Sequence, residues 1–218
     1  MITNQHWLER WQQNRIGFHE SAANRYLLQY LAQLSLAPGA TLFLPLCGKA
    51  HDIAWLARQG FEVIGIELSA LAIEAFFEEQ SLPYQTFESD RFILRKAGNI
   101  SIYQGDFFDL RGEDIGECSL VYDRAALIAI DGSQRSNYCE QLMSIIPPSS
   151  NMLLITLEYT QSEMEGPPYA VSSDEVEQFY AGAFSIELLE RRDVLDERPR
   201  WRQQGLQALS ESVYRLHR

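Results

Sequence analysis

An α/β domain built on a seven-stranded sheet is the architecture expected of these 218 residues. Short apolar runs alternate with amphipathic helical stretches between residues 40 and 158, the order that produces a parallel sheet covered by helices. Helix stop and start signals fall at the junctions: Gly60 after one helical stretch, Ser69 before the next, Pro147-Pro148 after a third. Two last strand-like runs close the chain and suit an antiparallel pair.

The elements follow in order. Residues 4–14 place Trp7, Leu8 and Trp11 on one face, which predicts a helix capped by Thr3 or Asn4. Residues 21–34 form a second amphipathic helix, broken by the Leu-Ala-Pro-Gly stretch at 36–39. Residues 40–44 are the first strand, 49–59 a helix, 61–67 the second strand and 69–79 a helix capped by Ser69. Residues 81–98 fit this alternation poorly and read as an insertion with a short hairpin turning at Gly98-Asn99. Strands are expected at 100–104, 119–123 and 151–158, with a helix at 133–145. Residues 161–173 form a loop bearing proline, glycine and serine, of the kind that covers a site. A helix at 174–181 and strands at 184–192 and 210–217 complete the chain. No repeat or long linker divides it, so residues 1–218 are expected to form one domain. The order of the strands is not encoded in this pattern.

Composition narrows the function. A formal net charge of -12 opposes binding to polyanionic nucleic acid or docking on an anionic membrane surface. Small ligands remain open, because a pocket can differ in sign from the surface around it. Cys47, Cys118 and Cys139 show no C-x-x-C pairing or zinc spacing, which suggests reduced thiols in a cytoplasmic protein and no metal site. The polar stretch 1–15 lacks the apolar region of a signal peptide, and no apolar run approaches the roughly 20 residues of a membrane span. No exposed apolar repeat suggests an interface, so a monomer is expected.

Four strand ends carry candidate chemistry. Leu44-Pro-Leu-Cys-Gly-Lys49 sits where a strand hands over to a helix, the place where ligands bind in open α/β sheets. Its single glycine departs from the G-x-G-x-x-G pattern of pyrophosphate binding, which disfavours NAD or FAD. A ligand with a carboxylate and a ribose but no phosphate tolerates such a turn. Glu67 ends the second strand about 20 residues later, where a carboxylate can accept both ribose hydroxyls. The competing role, capping the next helix, is better filled by Ser69. Gly105-Asp106-Phe107 follows the third strand; a carboxylate there can accept an adenine amino group and an aromatic can pack on the ring, although Gly-Asp is also an ordinary turn. Val121-Tyr-Asp-Arg-Ala-Ala-Leu127 ends the fourth strand. Arg124 cannot act as a base, but it can bind a carboxylate or stabilise a developing anion; the alternative is an ion pair with Asp123 or another carboxylate.

The N-terminal aromatics Trp7, Trp11 and Phe18 read first as packing residues. If their helix lies over the strand ends, they close in whatever binds there, and an indole face gives a sulfonium a cation–π contact. His19 reads equally as a surface histidine or a proton acceptor, while His6, His51 and His217 show no motif.

Together these segments resemble the thiopurine S-methyltransferase family. The matching words are Trp7 to Trp11, Phe18-His19, Leu44-Pro-Leu-Cys-Gly-Lys49, Gly65-Ile-Glu-Leu-Ser69, Ala75-Phe-Phe-Glu-Glu-Gln80, Val121-Tyr-Asp-Arg-Ala-Ala-Leu127, Gly166-Pro-Pro168 and Asp196-Glu-Arg198, in order through nearly the whole chain. The resemblance implies a Rossmann-like seven-stranded methyltransferase fold with helices on both faces, an antiparallel last strand and S-adenosyl-L-methionine as methyl donor. By matching position it implies cofactor contacts from Trp11, Leu46, Glu67, Asp106, Phe107 and Arg124. It implies acceptor contacts from Phe18, Arg124 and Arg198, and an N-terminal helical cover over residues 1–35. Tyr122 stands where animal members have tryptophan, Ala125 where they have glycine, and Asp106 where they have a small polar residue. The implied reaction moves a methyl group to the thiol of a small aromatic molecule by in-line displacement, releasing S-adenosyl-L-homocysteine. It needs no dedicated base. The alternatives are a methyltransferase of the same fold for selenium, tellurium or other small acceptors, or a non-catalytic S-adenosylmethionine-binding module.

Overall fold

The structure is a computed structural model and describes residues 3–17 and 19–218. Phe18 lies outside the described residues. The chain clusters into two compact units, one running up to Leu120 with Ile145–Pro147, the other comprising Val121–Ser144 and Pro148–Arg218.

The first unit contains α1 (Asn4–Gln12), α2 (Arg25–Tyr30), β1 (Thr41–Leu44), α3 (His51–Arg58), β2 (Glu62–Glu67), α4 (Ala70–Glu79), β3 (Gln85–Glu88), β4 (Ile93–Ala97), β5 (Ile100–Gln104) and the single turn α5 (Gly112–Ile115). Its strands lie in the order β3-β4-β5-β2-β1. β1, β2 and β5 are parallel, with Leu44 beside Gly65 and Glu67 beside Gln104. That register brings the turn after β1, the carboxylate ending β2 and the Gly105-Asp106 turn after β5 to one edge. Leu42, Phe43, Val63, Ile66 and Ile102 fill the sheet core. α3 buries Ile53, Ala54 and Leu56 against it, and α4 buries Ala72, Ile73, Phe76 and Phe77. Ser69 caps α4 as expected, its hydroxyl accepting from the Ala72 N–H at 3.3 Å.

The N-terminal helices are shorter than their apolar patterns. Thr3 caps α1 by accepting from the His6 N–H. Asn24 caps α2, and its own N–H donates to Asp52 at 2.6 Å, which delays helix entry until Arg25. The stretch Leu31–Leu34 tightens to a 3-10 turn that ends at Ser35 with φ +50°.

Among the described residues nine strands are present rather than the seven expected. The two additions, β3 and β4, come from residues 81–98. They pair antiparallel with each other, and β4 pairs antiparallel with β5. All four β3 side chains are exposed, so no buried face marks it in the sequence. The Gly98-Asn99 turn does join β4 to β5, and Gly98 takes φ +57°, the conformation that a two-residue hairpin demands of its first central residue.

The second unit contains β6 (Leu120–Arg124) from Val121 onward, α6 (Arg135–Ile145) as far as Ser144, β7 (Asn151–Glu158), α7 (Ser173–Tyr180), β8 (Ser185–Asp193), α8 (Pro199–Gln203) and β9 (Ser210–His217). Its strand order is β6-β7-β9-β8. β9 is antiparallel to both β7 and β8, so the expected antiparallel ending is present. A bulge at Leu188/Glu190 in β8 absorbs one residue of register. β7 is apolar almost throughout and buries six consecutive residues, Met152 to Leu157. Ser172 and Glu175 form a reciprocal capping box that starts α7. α8 has proline at its first position, where the missing N–H costs nothing, so Pro199 starts a helix instead of preventing one. No helix among the described residues is long and apolar enough to cross a membrane.

Candidate active site

In the first unit, the turn after β1 folds back over the end of β2. The Cys47 N–H donates to the Ile66 carbonyl at 2.9 Å. The approach is close because Gly65 has no side chain: a Cβ there would lie 2.7 Å from Cys47 Sγ. Glycine inside a strand is the sequence signal for such an approach. Leu46 and Gly48 take φ +46° and +52°, so the turn passes twice through the left-handed region. Nothing in the sequence marks Leu46 for that conformation.

Glu67 is buried beneath this turn. Its carboxylate accepts the Gly48 N–H at 2.9 Å on one oxygen and the Ser69 N–H at 2.8 Å on the other. Burial pushes the carboxyl above its ordinary range, and the N–H groups of Ser69, Gly48 and Leu68 pull it back. Against these three N–H donors the two oxygens offer about four lone-pair sites, so the carboxylate keeps room for a hydroxyl donor. The sequence singled out Glu67 and the turn separately; the fold joins them directly. Burial, and to a lesser degree Glu67, raises the Cys47 thiol well above its usual value, so Cys47 stays protonated and is no nucleophile.

Helix α1 reaches this turn. A Cβ on Gly48 would sit 3.3 Å from Cζ2 of Trp11, so the half-buried indole lies against the glycine. At the start of α1, the Asn4 amide donates to Asp106. The other Asp106 oxygen accepts the Phe108 N–H at 2.9 Å and caps the 3-10 turn Phe107–Asp109. Phe107 is buried while Phe108 is exposed. Asp106 therefore latches α1 to the end of β5, a role the sequence reading missed. Asn4 was visible there only as a cap candidate.

The second unit carries the remaining residues. Arg124 ends β6, half-buried. Its neighbour Asp123 is fully buried, accepting the Leu127 N–H at 3.0 Å and the Tyr138 hydroxyl at 2.7 Å. Burial pushes the Asp123 carboxyl up to about 6, against the lowering effect of those hydrogen bonds and of the Ala126 N–H. Tyr138 had no signal beyond its place on a helix. Ala125 takes φ +64°, a conformation that glycine adopts without strain. Arg198 is half-buried at the entry to α8, with its guanidinium carbon 5.9 Å from the Trp201 ring centroid.

The parallel strands, the turn after β1 and the strand-end carboxylate are the features of an S-adenosylmethionine-dependent methyltransferase fold, and solved structures of that class superpose on this chain. A phosphoethanolamine N-methyltransferase from Haemonchus contortus, in complex with S-adenosylhomocysteine, matches with a TM-score of 0.71 at 12% identity, over 100% of this chain and 60% of that one. A 1,6-didemethyltoxoflavin-N1-methyltransferase from Burkholderia thailandensis matches with a TM-score of 0.64 at 13% identity, over 99% of this chain and 87% of that one. At such identities the likeness shows the fold alone. The family is given by sequence: the thiopurine S-methyltransferase family profile matches residues 2–218. A thiopurine S-methyltransferase of Nitrosospira multiformis is 45% identical over 215 residues, covering 99% of this chain and 98% of the relative. The chain belongs to the thiopurine S-methyltransferase family.

Proposed function

We propose that this chain is an S-adenosyl-L-methionine-dependent thiopurine S-methyltransferase that methylates the thiol of a small aromatic or heterocyclic acceptor. The observation that supports it most is the Glu67 carboxylate held between the amides of Gly48 and Ser69, with Trp11 against the same turn. This donor set fits an adenosyl amino acid: a buried carboxylate with acceptor capacity left for a ribose hydroxyl, a turn too tight for a side chain, and an indole suited to a cation. S-adenosyl-L-methionine supplies the methyl group and leaves as S-adenosyl-L-homocysteine.

The chain's own residues then have distinct tasks. Trp11, Leu46, Glu67, Asp106, Phe107 and Arg124 hold the donor. Phe18, Arg124 and Arg198 meet the acceptor, and residues 1–35 cover the bound donor. The attacking group is a thiolate, and its charge is neutralised as the new bond forms. The protein's contribution is therefore alignment, together with cationic groups that favour the anionic sulfur. Arg124 and Arg198 do the latter and depress the bound thiol's pKa. No proton acceptor on the protein is required.

The two units act as one methyltransferase domain in this reading, and the enzyme is a cytoplasmic monomer without nucleic-acid partners. Its three cysteines are buried thiols outside any disulfide, which supports a reducing compartment. The decisive experiment is a methyl-transfer assay with a thiopurine, selenite and tellurite side by side. Preferential methylation of the thiopurine sulfur is expected. Turnover only with the inorganic acceptors, or donor binding without turnover, rejects the thiol reading.

A further inference from the structure

We propose that His19, His51 and Glu79 form a site for a late first-row divalent cation of the zinc type. The sequence spacing of these residues carries no metal motif; the fold assembles them. His19 lies in the segment ahead of α2, His51 opens α3, and Glu79 is the last residue of α4. One ligand atom from each lies within 4.8 Å of the other two. The two imidazoles face each other with ring centroids 5.2 Å apart and planes 32° from parallel.

The donor set selects the ion. Two imidazoles and one carboxylate, with a fourth position left to water, are a common zinc arrangement. Imidazole suits zinc, nickel and copper, whereas magnesium and calcium take oxygen ligands. Ligand bonds of about 2.0–2.1 Å in a tetrahedron separate the donor atoms by about 3.4 Å, so binding draws the three side chains inward by roughly an ångström. A neighbouring polar group can orient the ring: the Gln80 amide nitrogen lies 3.1 Å from His51 Nδ1, while its oxygen accepts from Arg58 at a long 3.5 Å. Turning the amide gives up that long bond and lets Gln80 accept from Nδ1–H, which leaves Nε2 to the metal.

The Lys49 ammonium competes: it pairs with Glu79 Oε1 at 2.5 Å. The second oxygen of Glu79 remains available, and a dication at that position repels the ammonium. Binding therefore displaces Lys49, which belongs to the turn covering Glu67, and ties the segment carrying His19 to α3 and α4. The cation acts as a clamp beside the donor-binding turn.

Zinc titrations of the full chain, by calorimetry and by thermal unfolding, test the proposal without any methyl-transfer assay, so they stand apart from the proposed activity. The expected result is one zinc per chain, a raised Tm and no response to magnesium. His51→Ala and Glu79→Gln should each weaken zinc binding more than about 10-fold, on the scale of losing metal-site partners. Lys49→Gln should tighten it. Glu79 is exposed, so its variant keeps the test interpretable if His51→Ala folds poorly. Absence of zinc binding, or zinc binding unchanged in Glu79→Gln, overturns the site.

Discussion

The Gly48 amide donates to the Glu67 carboxylate at 2.9 Å, tying the turn after β1 to the end of β2. The carboxylate thus has two tasks, shaping the turn and offering lone pairs to a ligand. Glu67→Ala leaves the Gly48 and Ser69 amides without their acceptor, a loss of about 1–3 kcal/mol per unsatisfied buried group. Cofactor affinity measured by calorimetry should fall by roughly 10- to 100-fold. Unchanged affinity would remove Glu67 from the donor site.

The close contact of Gly65 with Cys47 predicts an energetic coupling. A methyl at Gly65 would sit 2.7 Å from Cys47 Sγ. Gly65→Ala should destabilise the protein by about 1–3 kcal/mol through overpacking. Adding Cys47→Ala removes the obstructing sulfur, so the double variant should recover more than about 1 kcal/mol of that loss in urea unfolding. Strict additivity would mean that the collision is relieved elsewhere.

Trp11 should report on the donor. Its indole lies against Gly48, so S-adenosylhomocysteine binding should alter tryptophan fluorescence. Trp11→Phe should abolish most of that change and weaken binding by several-fold; Trp201→Phe, in α8, should leave the signal in place. The latch predicts a further effect at the same helix: Asn4→Ala should speed amide exchange in α1 while shifting the global Tm little, because a single exposed hydrogen bond contributes only about 0.5–1.5 kcal/mol.

Asp123 makes stability depend on pH with a sign opposite to that of a paired surface carboxylate. Its carboxyl titrates at about 6 in the fold against an ordinary 3.8. Between those values the folded state binds the extra proton, so the contribution of Asp123 is fully present below about 4 and is lost as pH rises through 6. The loss amounts to as much as about 3 kcal/mol, at 1.36 kcal/mol per unit. Asp123→Asn can keep its bonds to Leu127 and Tyr138 and does not titrate. In chemical denaturation from pH 4 to 7, the Asp123→Asn variant should gain stability relative to the parent as pH rises. A constant difference across that range would contradict the raised value.

The alternation of apolar runs and helix caps in the sequence determined the seven main strands and six of the helices, since burial of one face at a fixed period is a local property of the chain. The resemblance, written in contiguous words such as Leu44 to Lys49, determined the family. Tertiary structure alone decided the rest. β3 is held by backbone bonds to β4, and its four exposed residues give no apolar period to announce it, whereas Gly98-Asn99 already marked the hairpin that joins β4 to β5. Asn4 meets Asp106, Tyr138 meets Asp123, and His19 meets His51, each across a long separation in the chain. Such pairings depend on where elements pack in space, and side-chain chemistry read along one dimension carries no distance between them.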